Sequence, residues 1–114
     1  MAKIGFENGV MLPIPLSLVA VSSNKALALT DADTLQNVST GANITVDTNA
    51  NVAFEIGTSI IIYTSSASAC TIVAAGGVTI NSENGLILNA QYAVASITKI
   101  AADTWVAYGS LKAA

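Results

Sequence analysis

The sequence predicts an all-β protein: a single-domain antiparallel β-sandwich or β-barrel over residues 17–114, entered through an extended N-terminal arm, residues 1–16. Three observations carry that reading. Apolar residues alternate with polar ones through most of the chain, whereas helical spacing is hard to find. The apolar runs are short and are broken at close intervals by glycine, asparagine and serine, the residues that make turns. The chain has 114 residues, 53% of them hydrophobic, which suits one domain and leaves ample side chain to bury, so disorder is excluded.

The elements follow in order. The opening MAKIGFENGVMLPIP has no clean period, two prolines and an Asn8-Gly9 turn pair, which marks an arm rather than a core strand. ALALT (Ala26–Thr30) alternates, with Leu27 and Leu29 on one face. A short helical turn fits Thr30–Gln36, with Thr30 or Asp31 as N-cap. NITVD sets Ile44 and Val46 against Asn43, Thr45 and Asp47, and AFEIG sets Phe54 and Ile56 against Glu55. TSIIIYTSS (Thr58–Ser66) breaks the pattern: Ile60 and Ile62 face one way, Ile61 and Tyr63 the other. A strand apolar on both faces has to be covered on both, by its own chain or by a partner. CTIVA and VTIN flank Gly76-Gly77. VTIN and LILN flank SENG, where Asn84-Gly85 suits the positive φ angles of a tight hairpin. QYAVASITKI (Gln91–Ile100) and TWVAYGSL (Thr104–Leu111) straddle the short connection AAD.

Composition removes several classes of function. The most apolar run, Val10–Val21, is shorter than the roughly 20 residues that span a bilayer, and Pro13 and Pro15 interrupt it. It also makes a poor export leader, since Lys3 is the one positive charge before it and Glu7 opposes it. The net charge is −3 and the four basic residues, Lys3, Lys25, Lys99 and Lys112, are scattered, so neither nucleic acid nor membrane is an expected partner. Cys70 stands alone, which excludes an intrachain disulfide, and its apolar setting reads as a buried structural thiol.

The inventory for chemistry is thin. There is no histidine to act as base or metal ligand, and no arginine to clamp an anion. Asp31 and Asp33 in DADT lack the further ligands and glycine of a calcium loop, so cap or Asx-turn duty is the stronger reading. Glu55 and Glu83 read as solvated charges. Trp105, Tyr63, Tyr92 and Tyr108 lie in apolar strands, where core or interface packing is favoured over a sugar-stacking surface. Asn37 and Asn43 match the glycosylation pattern incidentally. The expectation is a non-enzyme with no catalytic, metal or cofactor residue.

The shortage of charge is the informative feature. Only 10% of the residues are charged, against roughly 25% in an ordinary soluble domain. Charge guards sheet edges and apolar patches from pairing, and a β-domain without that guard is expected to bury much of its surface against other subunits.

The chain from Thr30 onward also resembles a strand-rich module of tailed-bacteriophage virion proteins. The shared elements are TDAD (Thr30–Asp33), F-x-I-G-T-x-I (Phe54–Ile60), GVTIN (Gly77–Asn81), QYAVA (Gln91–Ala95) and DTWV (Asp103–Val106). The module is similar to both capsid decoration (cement) proteins and parts of tail fibres or spikes, commonly trimers. Fibres embed it in a much longer chain. Here the module is expected to be the whole protein, which favours decoration. The resemblance thus implies a homotrimer on the outside of the virion head, made in the host cytoplasm and bound to the major capsid protein. The alternative is a fibre-type domain that binds host-surface glycan. The residues expected in the core or the subunit interface are Ile60, Ile62, Tyr63 and Trp105. Those expected to contact the capsid are on the arm: Lys3, Ile4, Phe6, Met11, Leu12, Pro13 and Pro15.

Overall fold

The computed structural model describes residues 3–7 and 10–114, with side chains from Pro15 onward. Strand β1 (Lys3–Glu7) pairs antiparallel with β2 (Val10–Ile14), placing Ile4 opposite Pro13 and Phe6 opposite Met11, and the two form a sheet of their own. The side chains of Lys3, Ile4, Phe6, Met11, Leu12 and Pro13 lie outside the described residues. Pro15, which follows β2, is exposed.

From Ser17 on, the chain builds two sheets that pack face to face around one core, in keeping with the alternating pattern. The larger has six strands in the order β3 (Ser17–Val21), β5 (Thr34–Val38), β7 (Ser59–Thr64), β11 (Val94–Ala101), β12 (Thr104–Gly109) and β9 (Thr79–Ser82). The smaller has five: β13 (Leu111–Lys112), β10 (Ile87–Leu88), β8 (Thr71–Ala74), β6 (Asn43–Val46) and β4 (Lys25–Ala26).

The pairing is mixed rather than antiparallel throughout. From β3 to β8 the chain alternates between sheets, so β3, β5 and β7 stack in parallel, as do β4, β6 and β8. Parallel neighbours need a crossover; here the strand in the opposite sheet supplies it, and its apolar face closes the same core. Antiparallel pairing enters with β11, which fits between β7 and β12, and with β10, between β8 and β13. A short alternating strand followed by a turn looks the same in sequence whether the turn folds back or crosses to the other sheet.

Asn84-Gly85 is the clearest case. The expected hairpin is not there: β9 lies in the six-stranded sheet and β10 in the five-stranded one, so the turn is an arch between layers. Gly85 has φ +119, and a Cβ there would collide with the backbone of Lys112. The glycine serves a close approach to β13 rather than a two-residue hairpin. The segment AAD does join an antiparallel pair, β11 and β12, with an irregularity between Lys99 and Ala101.

Inward positions fill the space between the sheets. Val38, Ile44, Val46, Ile60, Ile62, Ile72 and Ile97 are fully or almost fully buried, each contributing about 1.5–3 kcal/mol by leaving water. Trp105 meets Phe54 edge-on, with ring centroids 5.4 Å apart. Two local expectations fail beside this core. Phe54 and Ile56 do not share a strand face: Phe54 is buried, but a turn closed by Thr58 N–H on the Glu55 carbonyl leaves Ile56 exposed. The helical turn is a 3-10 turn at Leu29–Asp31, earlier than expected, and β5 begins at Thr34. Asp31 fixes it by accepting the Ala28 N–H at 2.8 Å, which buries Leu27 and turns Leu29 outward.

Candidate functional site

Strand β7 is apolar on both faces, and the fold covers only one of them. Ile60, Ile62 and Thr64 point into the core, while Ser59, Ile61 and Tyr63 point out and are half-buried. Strand register then assembles a surface around them. One row across the six-stranded sheet reads Leu18, Leu35, Ile61, Ser96, Tyr108; the next reads Ala20, Asn37, Tyr63, Val94. A third aligns Ser59, Thr98, Val106 and Asn81. None of these positions is Asp, Glu or Lys. Leu18 is 69% exposed and Tyr108 52%, so the outer face of this sheet is a charge-free, largely apolar surface.

Four of its polar groups, the hydroxyls of Ser59, Ser96, Thr98 and Tyr108, are already partnered. Ser59 Oγ and Thr98 Oγ1 are 2.8 Å apart, Thr98 Oγ1 and Tyr108 Oη are 3.0 Å apart, and Ser96 Oγ donates to the Ile60 carbonyl at 3.3 Å. Hydrogen bonding from Ser96 and Thr98 holds the Tyr108 hydroxyl below its ordinary pKa. A polar group satisfied within its own chain loses little when water leaves, so this face is suited to burial. Beside Tyr108 runs a groove of about 370 Å³ lined by Ile61, Val94, Ser96 and Gly109. Gly109, at φ +118, lets β12 approach β11 closely there: a Cβ would lie 2.7 Å from the Val94 carbonyl oxygen.

The residues singled out from sequence separate accordingly. Ile60, Ile62 and Trp105 come together in the core, and Tyr63 sits on the outer face. Asp31 and Asp33 do not converge. Asp31 is buried and spends its oxygens on Lys25 Nζ at 2.9 Å, the Gln36 amide at 3.1 Å and the Ala28 N–H. Burial raises the Asp31 carboxyl, but these hydrogen bonds and the Lys25 charge outweigh it and hold the pKa below the usual carboxylate range. Asp33 instead lines a separate groove of about 320 Å³ with Glu55 and Ile56. Among the described residues, no three His, Cys, Asp or Glu gather as they would around a metal ion. Cys70 is buried, and burial pushes its thiol up.

Two buried polar clusters escape a charge-based reading of the sequence. Lys25, Asp31, Thr34 and Gln36 form one, with Gln36 fully buried. The other is Lys99, 2% exposed, whose ammonium donates to Asn49 Oδ1 at 2.6 Å and to the Phe54 carbonyl at 2.7 Å. The alternation of VASITKIA does signal it, since Lys99 shares the parity of Ala95 and Ile97.

Comparison of the chain with protein-family models, with curated proteins and with solved structures finds no match.

Proposed function

We propose that the protein is a virion structural protein: a homotrimeric decoration protein that binds the outside of a tailed-phage head and ties neighbouring major capsid proteins together. The observation that carries this reading is the charge-free outer face of the six-stranded sheet. An apolar surface spanning the strands of a sheet, with four of its hydroxyls satisfied internally, is costly in water and inexpensive to bury against like surfaces. The resemblance to decoration modules supplies the setting. Mass action supplies the mechanism: a ligand that binds only the assembled shell stabilises it by its binding free energy, and many copies multiply the effect. In this reading the arm, from Lys3 to Pro15, makes the capsid contact through Ile4, Phe6, Met11 and Leu12.

Two measurements test it. Light scattering on the purified protein is expected to give a trimer at micromolar concentration, and a monomer overturns the reading. Deleting residues 1–15 is expected to leave a folded trimer that no longer co-sediments with expanded phage shells lacking their decoration protein. Unaltered sedimentation overturns the arm's role.

One observation favours the second reading, a fibre-type domain that binds host-surface glycan. Tyr108 is not packed away but half-exposed beside a groove flanked by hydroxyls, a setting in which sugar rings stack. Neutral oligosaccharides that shift Tyr108 ring resonances in the full chain would favour the fibre reading over decoration.

A further inference from the structure

We infer that copies of this chain join through the two edges of the six-stranded sheet, β3 of one copy adding in parallel to β9 of the next, so that a cyclic trimer encloses the charge-free face around its axis. This rests on the reading that the protein self-associates, and it specifies how.

The edges of the two sheets differ. Those of the five-stranded sheet, β4 and β13, are two residues long, and β13 ends on Lys112. Short strands and edge lysines are what β-proteins use to keep a sheet from extending into another chain. The edges of the six-stranded sheet lack both protections. β3 reads SLVAV and β9 reads TINS, five and four residues without a charge. The backbone groups that have no partner among the described residues can be assigned by parity. Ser39 N–H donates to the Val21 carbonyl and so sets Val21, Val19 and Ser17 toward β5, leaving the N–H and C=O of Leu18 and Ala20 on the open side. Thr79 N–H donates to the Asp103 carbonyl on the β12 side, leaving those of Ile80 open.

Strand direction selects the geometry. β5 and β7 run parallel to β3; β11 reverses, β12 reverses again, and β9 is parallel to β12. Both edges therefore point the same way. Rotation about an axis along the strands keeps every copy in that direction, so β3 meets β9 as a parallel pair in a head-to-tail contact that closes into a ring. A two-fold axis perpendicular to the strands would instead pair β3 with β3. Six strands at about 4.8 Å spacing give a side of roughly 29 Å, and three such sides place each sheet about 8 Å from the common axis. In a two-sheet sandwich each sheet fills about 5 Å to the mid-plane, so the longer side chains of Tyr63 and Tyr108 suit the wider interior. A second copy is the fitting occupant on charge as well. Strands β3 and β9 and the three rows of this face contain no Asp, Glu or Lys, so joining them brings no like charges together. The ring also sends every N-terminal segment out at one end, where β3 begins.

Ala20→Pro removes a free edge donor without touching the β5 ladder, and proline is tolerated at a strand edge whose N–H faces outward. The full-length variant is expected to elute as a monomer with wild-type far-ultraviolet circular dichroism. Independently of how that variant folds, Ala20→Cys combined with Thr79→Cys or Asn81→Cys is expected to give covalently closed trimers on oxidation, with buried Cys70 uninvolved. A trimeric Ala20→Pro, or disulfide-linked dimers from Ala20→Cys alone, overturns the edge pairing while leaving self-association intact. A monomeric wild type overturns both.

Discussion

The ammonium of Lys99 donates to the carbonyl oxygen of Phe54 at 2.7 Å, inside the protein and 45 residues away in sequence. Lys99 stands on the core face of β11, and Phe54 belongs to the loop between β6 and β7. The bond pins that loop over the end of the sandwich. The same loop supplies Asn49, which accepts a second Lys99 hydrogen bond through its side chain and gives its own N–H to Asp103 Oδ1 at 2.8 Å. With the loop held, the Phe54 ring closes against Trp105.

Replacing Lys99 by methionine keeps the volume but strands the Phe54 carbonyl and the Asn49 amide oxygen. Each buried polar group left alone costs about 1–3 kcal/mol, offset in part because a buried charge is also removed. The expected net loss is about 2 kcal/mol by chemical denaturation. Asn49→Ala, which leaves the Phe54 bond in place, is expected to cost about half as much.

Gly85 and Gly76 make a matched pair. At Gly85 the backbone has φ +119 and Lys112 occupies the space a Cβ would need; at Gly76 no atom lies within 4 Å of that position. Gly85→Ala is expected to destabilise by about 2–3 kcal/mol through strain and displacement of β13. Gly76→Ala is expected to fall within about 0.5 kcal/mol of wild type. Thermal melts of the two variants check this, and equal effects would contradict the close approach at β13.

That contrast also marks what the sequence could convey. Strand alternation is local, so the split of Ile60 and Ile62 from Ile61 and Tyr63 is legible in their own segment, but which pair faces the core is not, and Tyr63 groups with Ile60, Ile62 and Trp105 until the fold sets it outside. Glycine signals that the backbone needs freedom at a point, not where the chain goes next, and so Asn84-Gly85 read as a hairpin although it crosses between sheets. Lys99 was visible by parity yet masked by its charge, because its partners come from a distant loop. The outer face was legible one residue at a time, but Leu18, Leu35, Ile61 and Tyr108 form a row only through strand order, which is not local.

Asp31 predicts an acid dependence. Its folded-state pKa is lowered, so its contribution is complete above the unfolded value of about 4 and is lost as pH falls through the folded value. Asp31→Asn removes the charge beside Lys25 and is expected to cost about 1.5–3 kcal/mol at neutral pH. Below about pH 4 the gap between the wild type and the variant should narrow, because the wild-type carboxyl is then also becoming neutral. Denaturation midpoints of both proteins at neutral pH and below this range check the sign; a gap that widens in acid contradicts it.

Val94→Lys separates folding from assembly. Val94 lies beside Tyr63 on the outer face and lines the groove next to Tyr108, and its side chain is 45% exposed. A lysine there stays in water in the isolated domain, so the change in domain stability is expected within about 0.5 kcal/mol. Between copies the same ammonium is taken out of water among apolar and hydroxyl groups, a penalty of several kcal/mol. A loss of about 3 kcal/mol already weakens association more than a hundredfold. Sedimentation velocity across a concentration series is expected to show a monomer where the wild type is a trimer. Ala67→Lys, on the exposed loop between β7 and β8 and in none of the rows of this face, is expected to leave the trimer unchanged. If both variants assemble as the wild type does, the outer face is not the surface that copies share.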